Sequence, residues 1–126
     1  MPKGRTRQQR AAQVLKWIDA NWIVGRKISV RWVAELLDDD GEEYCGYTDR
    51  VGKDLVIVLS KKRLTTIQET TDIVIHEACH AIQWPPSGKA ERRRHHHPPS
   101  FWALYGEIRD RFDHDHGHEE ADAFEW

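Results

Sequence analysis

The sequence has few cysteines and no long apolar run. Its 126 residues include two cysteines, Cys45 and Cys79, which are too few for a disulfide framework or a four-cysteine zinc ribbon. No apolar run approaches the roughly 20 residues of a membrane-spanning helix, and the N-terminus lacks the hydrophobic core of a signal peptide. We therefore expect a soluble protein of a reducing, intracellular compartment, with no membrane partner.

A large net charge is also missing. Charged residues make up 32% of the chain, yet the net charge is only −2, so there is no global electrostatic argument for binding nucleic acid. Small clusters of basic residues are more often a solvated surface than a phosphate-binding site, which makes DNA contact the less favoured hypothesis. The two clusters are Lys3, Arg5, Arg7 and Arg10, and Lys89, Arg92, Arg93 and Arg94. The sequence does not indicate the oligomeric state.

The apolar pattern predicts one α+β domain, a minimal zincin core with a three-stranded antiparallel sheet. Residues 1–10 are basic and expected to be a flexible lead-in, residues 11–112 the domain, and residues 113–126 an acidic, histidine-rich flexible tail. The predicted elements are a helix from Ala11 that stops near Gly25, strands at 28–33, 42–48 (bulged at Gly46) and 55–59, a helix from 64–68 to about Gln83, and a closing helix capped by Ser100. Residues 49–53 are expected to form a turn, and 87–96 a loop after Pro85 and Pro86. Most of the tryptophans Trp17, Trp22, Trp32 and Trp102 are expected to pack in the core, because they lie on elements that need one.

The clearest chemical motif is His76, Glu77 and His80, an H-E-x-x-H pattern in an apolar, helix-compatible stretch. A four-residue step turns a helical side chain about 40° past one rotation, so both imidazoles leave the same face and can bind one ion. Glu77 lies about 100° from His76, within reach of a water on the ion but not placed as a ligand. The pattern predicts one zinc ion with Glu77 as general base, and Cys79 is interpreted as a small packing residue.

A catalytic zinc site needs a third protein ligand, because such sites take three and keep one position for water. The triple histidine at 95–97 supplies candidates, and adjacent loop residues point in different directions, so one of them is expected to bind. We favour His97, because Pro98 and Pro99 stiffen the chain after it and Phe101 would anchor the loop to the core. The alternatives are His95, His96, Glu91 and Glu107.

These residues favour hydrolysis of a peptide bond in a protein substrate. Zinc acidifies its water and polarises a carbonyl, and Glu77 would take the proton of the water and pass it to the leaving amine. Tyr105 and the arginines at 92–94 are candidates for stabilising the oxyanion. The competing hypothesis is a zinc-stabilised module that binds DNA or protein with little or no hydrolysis. A structural site prefers four ligands, so a glutamate beside an open position favours a zinc metalloendopeptidase.

Five segments resemble, in order, the SprT-like metalloprotease domain, the family that includes Spartan. They are residues 27–32, 45–48, 55–60, 76–81 with the letters HEACHA, and 97–101. The resemblance extends from about residue 11 to 112 and implies a helix and a small antiparallel sheet packed on the motif helix. It also implies zinc on His76, His80 and His97, with Glu77 catalytic. For substrates, it suggests proteins that are associated with DNA or crosslinked to it.

Overall fold

Three α-helices and three β-strands make up the part of the chain that the structure, a computed structural model, describes: residues 6–22, 26–84 and 97–116. The elements in order are α1 (Arg7–Asn21), β1 (Ile28–Val33), β2 (Gly46–Val51), β3 (Asp54–Ser60), α2 (Ile67–Ile82) and α3 (Pro99–His116). The predicted α+β class is confirmed. Within these ranges, no helix has both the length and the apolar character that crossing a bilayer requires.

The sheet is mixed, so the prediction that it is antiparallel throughout was wrong. Its order is β1–β3–β2, and the central β3 runs antiparallel to β2 but parallel to β1. β3 is the most apolar strand, and a central position buries it on both faces. Parallel neighbours require a connection of about a dozen residues or more. Residues 34–45 together with β2 supply that connection, whereas an antiparallel pairing of β1 with its neighbour would not have required one of this length.

The second strand lies later in the chain than predicted. β2 begins at Gly46, in regular register with β3 and without the predicted bulge, and it includes residues 49–51, which were assigned to a turn. The turn is only Gly52 and Lys53, and Gly52 has a φ of +64°, which glycine adopts at little cost. Polar residues at 49 and 50 suggested a loop, but a strand at the edge of a sheet tolerates them because one side faces solvent.

Gly46 lies where β2 approaches its neighbours most closely. A Cβ atom there would be 2.7 Å from the carbonyl oxygen of Val58, 2.9 Å from Cδ2 of Leu59 and 3.6 Å from Cγ1 of Ile73 on α2. The first two distances are shorter than a Cβ atom can have to a neighbouring atom, so the neighbour would have to move. The absence of a side chain at Gly46 therefore allows β2 to lie this close to β3, whereas the distance to Ile73 is an ordinary contact.

The first helix begins earlier than predicted. Thr6 caps α1: its hydroxyl accepts the backbone N–H of Gln9, and the Gln9 side chain accepts the backbone N–H of Thr6. Arg10, assigned to the flexible lead-in, is buried, and its guanidinium lies 5.7 Å from the ring centre of Phe112. The buried stripe of α1 includes Ala11, Val14, Leu15 and Ile18, which recur at the three- and four-residue intervals of an amphipathic helix. Gly25, the predicted stop, lies outside the described residues.

The second helix begins inside the predicted interval. Thr66 is its N-cap, and Thr66 and Glu69 form a reciprocal capping box, so threonine fixes the boundary although it is a poor helix former. The helix contacts α1, α3, β2 and β3 and contributes much of the core. Pro85, Pro86 and the loop at 87–96 lie outside the described residues.

The closing helix begins and ends differently from the prediction. α3 starts at Pro99, so Ser100 lies in its first turn and is not its cap. Proline suits the first helical position, where its missing N–H would have no helical partner. α3 continues to His116, four residues past the predicted end of the domain, and Asp115 accepts a hydrogen bond of 2.9 Å from Nε1 of Trp17.

Most of the four tryptophans considered for the core pack against it, as predicted. Trp17, Trp22 and Trp32 are partly buried against the core, whereas Trp102 is 51% exposed. Trp102 follows the buried Phe101 by one residue, and a single helical step turns its side chain about 100° away from the apolar stripe.

Candidate metal centre

Three histidine rings converge beside α2. His76 and His80 are one turn apart on that helix, and His97 lies just before α3. One ring nitrogen from each lies within 4.8 Å of the other two, and the Nε2 atoms of His76 and His97 are 3.0 Å apart. His80 is buried and the other two are half-buried. The structure therefore brings together the three residues that the sequence predicts as ligands.

The start of α3 positions His97. The backbone N–H of Phe101 donates to the carbonyl oxygen of Pro98 at 2.8 Å, which folds the chain after His97 into the helix. The Gln83 side chain, at the end of α2, donates to the carbonyl oxygen of Ser100 at 3.3 Å. The end of one helix is thus connected to the start of the other, and His97 is held above His76 and His80.

Of the four alternative third ligands, only Glu107 lies within the described residues. Glu107 is exposed on α3 and does not belong to the histidine group. His95, His96 and Glu91 lie outside the described residues.

Aromatic rings surround the three histidines. Phe101 is fully buried, and its ring centre lies 4.9 Å from that of His76, 4.5 Å from that of His80 and 4.8 Å from that of His97. Trp102 lies on the exposed side, with its ring 5.3 Å from that of His97 and 5.9 Å from that of His76. Phe101 therefore forms a buried support shared by all three imidazoles, and Trp102 forms part of the rim.

Glu77 is buried beneath the cluster and contacts β2. The hydroxyl of Thr48 lies 2.8 Å from Oε1 of Glu77 and 2.9 Å from its backbone carbonyl oxygen. The other carboxylate oxygen, Oε2, lies 3.9 Å from Nε2 of His76. One oxygen of the carboxylate thus faces the strand and the other faces the histidines.

The site keeps His76 neutral. Burial, reinforced by the neighbouring His97, lowers the pKa of His76 from its usual 6.5 to about 4. A neutral imidazole has a lone pair available for a metal ion, whereas a protonated one does not. At neutral pH, His76 is therefore in the form that binds metal.

Two neighbouring groups are also neutral at physiological pH. Burial, with a smaller contribution from Glu77, raises the pKa of Cys79 to about 12, so the thiol stays protonated. Cys79 is fully buried in the core, which confirms its interpretation as a packing residue. Burial and the charge of Asp72 raise the pKa of Tyr105, whose ring lies 6.3 Å from that of His76. Tyr105 therefore keeps its phenolic proton beside the cluster.

The histidine cluster fits a metal ion. Zinc binds imidazole nitrogen at about 2.0–2.1 Å, so nitrogens around a tetrahedral ion lie about 3.3 Å apart. The His76–His97 distance of 3.0 Å is close to that value, and the limit of 4.8 Å for the whole group leaves only a small adjustment of the rings. Three nitrogen donors could hold a divalent ion and leave one coordination position open.

Sequence reasoning missed Thr48 and Trp102 at the site. Residues 45–48 were assigned to a strand and to the family resemblance, which places a sheet on the motif helix but does not single out Thr48. Trp102 was considered for the core because it lies on an element that needs one. A helical projection of α3 was the one available signal, since it sets Trp102 apart from the stripe that contains Phe101 and Ile108.

Of the comparisons with known proteins, the one with protein families finds a match. No curated protein and no solved structure matches the chain. The profile of the SprT-like family matches residues 10–119, which include β2, the whole of α2 and the three histidines. That match covers most of the chain, and the chain belongs to the SprT-like family.

Proposed function

We propose that this protein is a zinc-dependent metalloendopeptidase. The observation that carries the proposal is the position of Glu77, whose Oε2 lies 3.9 Å from Nε2 of His76 at the edge of the three-histidine cluster. A carboxylate beside such a cluster, but not within it, can accept a proton from a water held there. Membership of the SprT-like family supports the same chemistry.

Zinc is the proposed ion because of the donor set. Imidazole nitrogens suit zinc, and catalytic zinc sites commonly have three protein ligands and one open position. His76, His80 and His97 would hold the ion. The low pKa of His76, about 4, keeps at least that ring ready to bind throughout the physiological range.

The proposed reaction uses the residues of the chain as follows. A bound zinc ion would act as a Lewis acid that acidifies water and polarises the scissile carbonyl. Glu77 accepts the proton of the attacking water on Oε2 and returns it to the leaving amine. Tyr105 is the proposed donor to the developing oxyanion, because its phenol stays protonated and its ring is 6.3 Å from that of His76.

The proposed substrates are proteins, including proteins bound or crosslinked to DNA, as the resemblance to the SprT-like family suggests. Two members of the first basic cluster have a role in the fold. Arg7 donates to the carbonyl oxygens of Lys61 and Leu64, and the guanidinium of Arg10 lies over Phe112. DNA contact would therefore rely chiefly on other basic residues, and a binding constant that falls steeply with salt would support it.

The test compares the wild type with Glu77→Gln, each purified with its zinc content measured, in a casein-cleavage assay with and without single-stranded DNA. We expect Glu77→Gln to retain zinc and to lose about 100-fold or more of the activity, since the general base is removed. Glu107→Gln is the matched control, because Glu107 is exposed on α3 outside the cluster, and it should retain both zinc and activity. His97→Ala should lose zinc. Equal activity of the wild type and Glu77→Gln would refute the proposal and favour a zinc-stabilised binding module.

A further inference from the structure

Thr48 makes a contact that the proposed reaction does not itself require. It lies on β2, is fully buried, and its hydroxyl is within hydrogen-bond distance of both the side chain and the main chain of Glu77, 29 residues away. A threonine hydroxyl carries one proton and accepts through its lone pairs, so it can donate to either of the two oxygens. Whichever of the two oxygens receives the proton, the hydrogen bond joins β2 to the motif helix at Glu77.

The hydrogen bond from Thr48 gives the two carboxylate oxygens of Glu77 different surroundings. Oε1 of Glu77 lies 2.8 Å from the Thr48 hydroxyl, and Oε2 lies 3.9 Å from Nε2 of His76. A carboxylate whose one oxygen is held at the strand cannot turn freely about its last side-chain bond. Oε2 is thereby directed at the space beside the histidines, where a water would have to give up its proton.

We propose that Thr48 is a positioning residue that orients Glu77 for proton transfer. The inference rests on the proposed function, because it assigns Thr48 a role in the reaction of Glu77. Thr48 is fully buried and its hydroxyl contacts Glu77, so its proposed effect on the reaction is exerted through Glu77 and it is not itself catalytic. Its effect is expected on the rate of the chemical step, and not on binding of zinc or substrate.

A purely structural role for Thr48 predicts different behaviour. If the hydroxyl only holds β2 to α2, its removal should lower stability and affect kcat and KM in no consistent manner. If it orients Glu77, its removal should lower kcat at constant KM and constant zinc content, and serine should restore the rate. A hydrogen bond to a charged group accounts for about tenfold to 100-fold in an equilibrium or a rate.

The experiment compares Thr48→Val, Thr48→Ser and the wild type, all loaded with zinc. Valine matches the shape of threonine without the hydroxyl, and serine keeps the hydroxyl. We expect Thr48→Val to lose about tenfold to 100-fold in kcat, with KM within about twofold, and Thr48→Ser to stay within about threefold of the wild type. Thr48→Ala provides the same comparison should the valine variant fail to fold.

Thr71→Val is the matched control. Thr71 is another buried threonine, on the motif helix itself, and its hydroxyl donates to the carbonyl oxygen of Ile67 at 2.9 Å and not to Glu77. The variant should keep kcat within about twofold of the wild type. A loss in Thr71→Val equal to that in Thr48→Val would mean that any buried threonine has this effect, and would overturn the proposal.

A second measurement does not depend on activity. Crystal structures of zinc-loaded wild type and Thr48→Val should show the Glu77 carboxylate turned to a different orientation in the variant, with the three histidines unmoved. An unchanged carboxylate, an unchanged kcat, or a serine variant as slow as the valine variant would each refute the positioning role. If the wild type itself cleaves no protein, the proposed function fails, and the crystal structures still decide whether Thr48 orients Glu77.

Discussion

Replacement of Phe101 by alanine tests whether the metal centre depends on a shared aromatic support. Phe101 is fully buried, and its ring lies between 4.5 and 4.9 Å from the ring centres of all three histidines. Alanine would leave a cavity beneath the cluster and remove one face of contact from each imidazole. Each ring would then gain freedom to turn, which weakens a site that requires three nitrogens to converge.

The magnitude follows from the size of the side chain. Truncation of a buried phenylalanine lowers the free energy of unfolding by about 3–5 kcal/mol, a large part of the roughly 5–15 kcal/mol that stabilises a typical domain. Loss of a group that orients metal ligands weakens metal binding by about tenfold to 100-fold. Urea unfolding of the metal-free protein measures the first effect, and zinc competition with a chromophoric chelator measures the second. Phe101→Leu, which leaves a smaller cavity, should show both effects to a lesser degree.

Phe112→Ala separates loss of stability from loss of the support. Phe112 is also a buried phenylalanine on α3, but its ring contacts Trp17 and His116 instead of the histidine cluster. We expect a similar drop in unfolding free energy for Phe112→Ala and a zinc affinity within about twofold of the wild type. If the two alanine variants weaken zinc binding equally, the reasoning is wrong, and the affinity depends on overall stability alone.

Two further predictions concern the strand beside Glu77 and the pH dependence of folding. Gly46→Ala should lower the unfolding free energy by about 1–3 kcal/mol, because its Cβ would lie 2.7 Å from the carbonyl oxygen of Val58. Gly106→Ala is the control: it lies in α3 with nothing within 4 Å of the new atom, and it should be neutral or stabilising by up to about 1 kcal/mol. Similar losses of unfolding free energy in both variants would contradict the packing argument. The pH prediction concerns His76, whose pKa is about 4 in the folded chain and 6.5 in the unfolded chain. Between these two values the unfolded chain binds more protons, so the metal-free protein should lose stability as the pH falls from 6.5 to 4. Urea midpoints at several pH values should fall less steeply in His76→Gln, and parallel curves for the two proteins would refute the assignment.

The sequence predicts the helices and the histidine cluster well because both depend on local periodicity. The four-residue spacing of His76 and His80 places two rings on one face of any helix, whatever its surroundings. His97 lies beside the two motif histidines in the structure, and its prediction as a ligand followed from the stiffness of Pro98 and the apolar character of Phe101. His95 and His96 lie outside the described residues, so the choice between the three stays a prediction. In each case the decisive interaction is between residues close in sequence or on one helix face.

The sheet is less predictable because its pairing is not local. β1 and β3 pair in parallel across the segment that contains β2, and nothing in either strand specifies the direction of its partner. The hydrogen bonds between Thr48 and Glu77 depend on the same topology, since they join residues 29 positions apart. A buried threonine in an edge strand has no distinctive sequence pattern, so its role could be inferred only from the structure.

Two positions of β2 contact two positions of α2, because two residues along a strand span nearly the same length as four residues along a helix. Gly46 and Thr48 leave the same face of β2 about 6.6 Å apart, and Ile73 and Glu77 lie on one face of α2 about 6 Å apart along its axis. These two intervals nearly match, so Gly46 faces Ile73 where Thr48 bonds to Glu77. A Cβ atom at Gly46 would collide with Val58 and Leu59 of β3, so β2 would have to shift, and Thr48 with it. A side chain at Gly46 should therefore reduce kcat as well as stability, through a displacement of Thr48 and not through any contact with the histidines.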